Sequence, residues 1–98
     1  MSVRFTRAAL ADLRAVRHWY REQSPGLDRE FVRSVEEALA AVEQLPRAYP
    51  VILRGARRVL LPIFPYMLFY RQTDDDIIVL GCFHVARNPT LWRRRIDQ

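Results

Sequence analysis

The apolar period of this chain changes once, near residue 46, and that switch constrains the fold more than any other feature. Leu27, Phe31, Val35, Ala38, Val42 and Leu45 recur at intervals of 4-4-3-4-3, which is one face of a helix. Arg29, Arg33, Glu36, Glu37 and Glu43 fall mostly off that face, and Pro46 ends it. Upstream, Ala9, Leu13, Val16 and Tyr20 form a second helical stripe with Leu10 beside it. Thr6 is placed to cap that helix, and Ser24-Pro25-Gly26 breaks it. The spacing therefore predicts helices over 8–23 and 27–45, joined as an antiparallel hairpin.

Beyond residue 46 the helical period is gone. Residues 46–56, with Pro46, Pro50 and Gly55, read as a loop. Arg58–Leu61, Tyr66–Tyr70 and Ile77–Phe83 read as strands separated by Pro62–Pro65 and Thr73–Asp76. Connections that short make an antiparallel meander. Ile77–Phe83 is almost wholly apolar and is expected at the centre of the sheet, covered on both faces. Val3-Arg4-Phe5 adds a short first strand, and the tail around Asn88-Pro89 and Leu91-Trp92 reads as a loop or one helical turn. The predicted order is β-α-α-β-β-β, an α+β fold with a helical hairpin packed on a small antiparallel sheet. One domain over 1–98 is expected.

Half of the 98 residues are hydrophobic, enough for one modest core without a metal or a disulfide. No apolar run approaches the roughly 20 residues of a membrane helix. The opening residues have no signal-peptide character, and the single cysteine, Cys82, reads as a buried thiol. A cytoplasmic protein is expected. With three glycines there is no phosphate-cradling loop, and no His/Cys or acidic cluster offers a metal site, so neither cofactor nor metal is expected.

The formal charge is +5, and all 16 basic residues are arginine. Residues 1–48 hold eight arginines against seven acids, whereas residues 49–98 hold eight against four. The excess gathers at Arg87 and Arg93-Arg94-Arg95, which suggests an anionic partner, either nucleic acid or an acidic protein segment. Arg87, Trp92, Arg93, Arg94 and Arg95 are the candidate target-binding residues. Cleaving RNA through its 2′-hydroxyl needs an acid or base and cations on the phosphate. His84 suits the first role and Arg71 and Arg87 the second, while Trp92 or Tyr70 offers a stacking surface. Against this, a histidine at a strand end such as His84 is more often a hydrogen-bonded structural residue than a catalyst. Arg71 reads as an ion-pair partner of the Asp74-Asp75-Asp76 turn, Trp92 as packing for the tail, and Arg93–Arg95 as solvated surface. His18 reads as surface.

The same residues carry a likeness that runs in order along nearly the whole chain. Trp19-Tyr20, Ser24-Pro25-Gly26-Leu27, Phe31, Ala48-Tyr49-Pro50 and Arg57-Arg58 are followed by Phe64-Pro65-Tyr66, Tyr70-Arg71, Val79-Leu80, His84, Arg87-Asn88-Pro89 and Trp92. In these the chain resembles the RelE/ParE toxins, in particular the group called plasmid stabilisation proteins. The resemblance implies the toxin half of a type II toxin–antitoxin pair, held in a hetero-oligomer by a cognate antitoxin whose disordered segment folds onto it. Within the superfamily, RelE-like members cut messenger RNA on the ribosome and ParE-like members inhibit DNA gyrase. RelE relies on lysines, which this chain lacks. Other nuclease members pair a histidine and arginines with a glutamate; His84, Arg71 and Arg87 match the first two. The expectation is thus a ParE-like gyrase inhibitor, with a RelE-like ribonuclease and a non-toxic interaction module as alternatives.

Overall fold

A computed structural model describes residues 2–97. The chain runs β1 (Ser2–Phe5), α1 (Arg7–Gln23), α2 (Leu27–Gln44), β2 (Val51–Leu53), β3 (Ala56–Leu60), β4 (Tyr66–Thr73), β5 (Asp76–His84) and α3 (Pro89–Asp97). Thr6 caps α1, its hydroxyl accepting the Ala9 N–H at 3.0 Å. Gly26 turns the chain into α2 with φ of +88°, a conformation in which a side chain is strained. Asp28 lies in the first turn of α2, where it is buried. Burial works against its charge, but the Arg21 hydrogen bond at 3.2 Å and the first backbone N–H groups of α2 hold its carboxyl below the usual range.

The sheet order is β1-β5-β4-β3-β2. β2 to β5 are antiparallel neighbours as the short connections require. β1 pairs parallel to β5, so the sheet is mixed where a wholly antiparallel one was expected. Two helices separate β1 from the meander, so no short hairpin connection obliges it to run antiparallel to a neighbour. The Ser2 hydroxyl donates to Asp76 at 2.5 Å and Arg4 reaches the same carboxylate at 3.3 Å. Together they hold that carboxyl below its usual range.

Two further expectations need correction. The segment 46–56 is not all loop, because Val51–Leu53 forms a short edge strand against Ala56 and Arg57. The tail is a nine-residue helix, α3, in which Asn88-Pro89 is a cap followed by a first-turn proline. The Asn88 carbonyl side chain accepts the Thr90 N–H at 2.9 Å.

Each face of the sheet has its own core. The hairpin covers Val59, Leu68, Tyr70, Ile77, Val79 and Cys82, and Phe31 and Val42 insert from α2 with no exposed surface. Leu45, expected on that stripe, is 65% exposed because α2 ends before it. On the opposite face α3 lays Trp92 and Ile96 over Met67, Phe69 and Phe83. β5 is therefore covered on both sides, as its apolar run predicted.

Alternation along β5 breaks once. Phe69 pairs with Gly81 and Tyr70 with Val79, so Leu80 is an extra residue, a β-bulge. Before it Ile77 and Val79 face the hairpin; after it Cys82 does, with His84 two residues on. The bulge thus decides which face His84 reaches.

Candidate functional site

Past Phe5, which pairs with Val79, β5 has no strand neighbour on its β1 side among the described residues, and one ion pair takes backbone groups that face outward there, at and after the bulge. The Arg95 guanidinium donates to the Leu80 carbonyl at 3.2 Å and to both Asp12 oxygens, at 2.7 and 3.1 Å. Asp12 in turn accepts the Cys82 N–H at 3.0 Å. Gly81 makes room, since a Cβ there would meet Arg95 Nη1 at 3.0 Å and Asp12 Oδ2 at 3.1 Å. Asp12 is on α1, Arg95 on α3, and the pair passes the bulge between them. Arg95, grouped with the target-binding residues by sequence, thus has a structural post. Asp12 went unnoticed: it stands at the margin of the α1 stripe, one turn from both Ala9 and Val16, but its partner lies 83 residues later.

The same helix positions the rest of the cleft. Trp92 is stacked on Phe69, centroids 5.0 Å apart, and Arg93 lies over its ring at 5.4 Å. Arg87 lies 5.8 Å from the Phe83 ring, on the α3 side. Strand alternation in β3 brings Arg58 opposite Phe69 on that side too. The result is a shallow cleft of about 410 Å³ with Leu60, Met67, Val85 and Trp92 as floor and Arg58 and Arg87 as rim. Arg93 and Arg94 are exposed beside it. Arg58 was legible only as half of the Arg57-Arg58 pair; its role needs the β3–β4 register.

The three residues that sequence reasoning offered for catalysis are not gathered. His84 sits at the opposite end of the strand pair from Arg71: His84 is opposite Tyr66, and Arg71 is five residues further along β4, about 17 Å away. They also face opposite sides of the sheet. The His84 ring packs edge-on to Tyr66 at 5.1 Å, and its Nδ1 accepts the Ala86 N–H at 3.0 Å. Arg71 does not close the acidic turn. It donates to the carbonyls of Arg54 at 3.2 Å and of Ile96 at 3.2 Å, tying the β2–β3 turn to the end of α3. Arg87 alone stays near His84, its N–H donating to the His84 carbonyl at 2.9 Å. Tyr70 is no stacking surface, being fully buried with its hydroxyl on the Pro46 carbonyl at 2.8 Å. Burial pushes its pKa up to about 12. His18 is exposed and pairs with Glu22 at 2.8 Å. Among the described residues no three His, Cys, Asp or Glu side chains group as a metal site, and no helix is long and apolar enough to cross a membrane.

The family described as the ParE toxin of the type II toxin–antitoxin system parDE matches residues 3–89. This chain belongs to that family. As a ParE-type toxin it is 29% identical over 72 residues to Toxin ParE2 of Mycobacterium tuberculosis, covering 72% of this chain and 69% of that one. Its fold superposes on a chain from the chromosomal ParDE system of P. aeruginosa with a TM-score of 0.74. The identity is 25%, over 86% of this toxin and 95% of the other chain. The isolated E. coli RelE toxin matches with a TM-score of 0.56 at 16% identity, over 97% of this chain and 95% of RelE. At that identity the likeness to RelE is one of fold. A ParE-type toxin has an antitoxin as its partner, and the α+β architecture expected from the period switch is that of these toxins.

Proposed function

We propose that this ParE-type toxin arrests growth by binding DNA gyrase in the cytoplasm, without cleaving nucleic acid, and that its cognate antitoxin neutralises it. The observation that carries the reading is the separation of Arg71 from His84 on opposite faces of the sheet. General acid–base cleavage needs the proton-transfer group and the phosphate-holding cation within hydrogen-bond reach of one substrate. Arg71 is instead spent on two backbone carbonyls. The family match favours the same side. In this reading Arg87, Arg93 and Arg94, with the Trp92 edge between them, form the surface that meets the target. Arg95 positions them through its hold on Asp12.

The test is expression of the toxin without antitoxin, read for DNA damage response and for message integrity, beside a supercoiling assay with purified toxin and gyrase. The expected result is blocked supercoiling with intact messages. Cleaved messages with unaffected supercoiling would reverse the reading in favour of a ribonuclease, and normal growth would leave an interaction module.

A further inference from the structure

α1 buries one side and gives a whole flank to arginine. Ala9, Leu13, Val16 and Tyr20 pack into the core. At 3.6 residues per turn, Arg7, Arg14 and Arg17 fall within about 80° of one another around the helix. All three are exposed, and none pairs with a carboxylate among the described residues. His18 and Arg21 continue the row, tied to Glu22 at 2.8 Å and to Asp28 at 3.2 Å. Between Arg14, Arg17, His18 and Arg21 lies an open recess of about 410 Å³ with no carboxylate in its lining.

The other flank of α1 has a different character. Asp12, which could have offset the row, is taken by Arg95 from the α3 side. Trp19 follows Asp12 by two turns on that same flank, about 140° round the helix from Arg14. Cations and the exposed aromatic ring of α1 are therefore kept apart.

We propose that the arginine flank of α1 binds the sugar-phosphate backbone of duplex DNA without reading its sequence. Arg7 to Arg17 covers about 15 Å of helix, the axial length of about four phosphates on one strand. Each of the three unpaired guanidiniums can thus meet its own phosphate, and the planar fork suits two phosphate oxygens at once. Single-stranded nucleic acid fits less well, since its binders stack bases on aromatic rings and Trp19 stands off the row. A bilayer fits less well too, because the apolar stripe of α1 is spent on the core. An acidic helix would need the apolar cleft of about 370 Å³ beside the row, where Leu10 and Leu13 are faced by Glu36 on α2, which repels it. Arg93 and Arg94 belong to the helix on the opposite face of the sheet, so DNA on α1 leaves the proposed target surface free. The inference goes beyond gyrase inhibition and does not depend on it.

The experiment titrates full-length toxin, free of antitoxin, into a labelled random-sequence duplex, with anisotropy read between about 50 and 200 mM salt. Each neutralised phosphate contributes about 0.9 to the slope of log affinity against log salt. Arg14→Gln with Arg17→Gln removes two such contacts. It is expected to flatten the slope by about 1.8 and to weaken binding roughly tenfold or more at the lower salt. Arg14→Lys with Arg17→Lys keeps the charge and is expected to keep the slope. An unchanged slope in the glutamine pair overturns the proposal, as does a slope lost with Arg93→Gln and Arg94→Gln instead. A single-stranded oligonucleotide, polyglutamate or a phosphatidylglycerol vesicle bound as tightly as the duplex also overturns it. Failure of the toxin to block supercoiling would sink the gyrase reading and leave this one standing.

Discussion

Asp12 and Arg95 meet through two carboxylate oxygens across 83 residues of sequence, and between them they hold the backbone of a bulged strand. Their side chains are 18% and 24% exposed, so removing either partner strands a largely desolvated group. Asp12→Ala is expected to destabilise the toxin by about 3 kcal/mol in urea unfolding, because it also orphans the Cys82 N–H. Removing both partners together is expected to cost clearly less than the two single changes summed. A cost near zero for Asp12→Ala would mean the pair is ornamental.

Gly81 belongs to the same unit. A methyl there would sit 2.9 Å from the Phe83 ring and against both members of the ion pair. Gly81→Ala is expected to cost about 1–3 kcal/mol and to lose much of that cost in an Asp12→Ala background, where space opens. Equal costs in both backgrounds would show that the ion pair is not what the methyl strikes.

Arg71 and Arg87 separate by readout. Arg71→Ala is expected to lower stability by about 1–2 kcal/mol through two lost carbonyl hydrogen bonds, with toxicity falling only as folded protein falls. Arg87→Gln is expected to leave melting unchanged and to weaken growth arrest. Thermal melts beside growth curves distinguish them. A stable, fully toxic Arg87→Gln protein would remove Arg87 from the target surface.

Alkali should act through Tyr70, whose phenol burial raises to about 12. Unfolded tyrosine ionises near 10, so above that pH the unfolded chain has lost a proton that the folded chain keeps. Stability contributed by the neutral phenol is therefore complete below about pH 10 and declines toward pH 12. Absorbance of phenolate should show Tyr70 titrating late, together with loss of fold. Titration of all four tyrosines near pH 10 in folded protein would refute this.

Cys82 gives a complementary handle. Burial first, and the Asp12 charge second, push its thiol up to about 12, leaving almost no reactive thiolate at neutral pH. A thiol reagent is expected to label it only as the protein opens, and much faster in Asp12→Ala if that pair holds α3 in place. Immediate labelling of wild type would contradict the burial.

Much of this architecture is legible from local pattern. The helices follow from the stripe through Phe31, Val35 and Val42, and the meander from Pro62 and the acidic turn. What escapes is whatever depends on distant partners. Val51–Leu53 is too short to declare itself between Pro50 and Gly55, and becomes a strand only because Ala56 and Arg57 return beside it. α3 hides behind Asn88-Pro89, which reads equally as a loop. The site suffers most, because His84 and Arg71 seem close neighbours on paper. One extra residue at Leu80 reverses the face of everything after it, and no rule of alternation announces where a bulge falls.

The parallel seam between β1 and β5 also bears on how this protein is made. Ser2 pairs with Asp76 and Phe5 with Val79, so the first strand has no sheet neighbour until the last one exists. α1 lacks the strand it packs on, and Asp12 lacks Arg95, for the same span of synthesis. At about 5–20 residues per second a nascent chain spends several seconds as a helical hairpin with an exposed apolar stripe. The fold then closes over its longest-range contacts at once, the slow kind of closure. A ribosome that stalls anywhere before residue 84 therefore releases no assembled toxin at all.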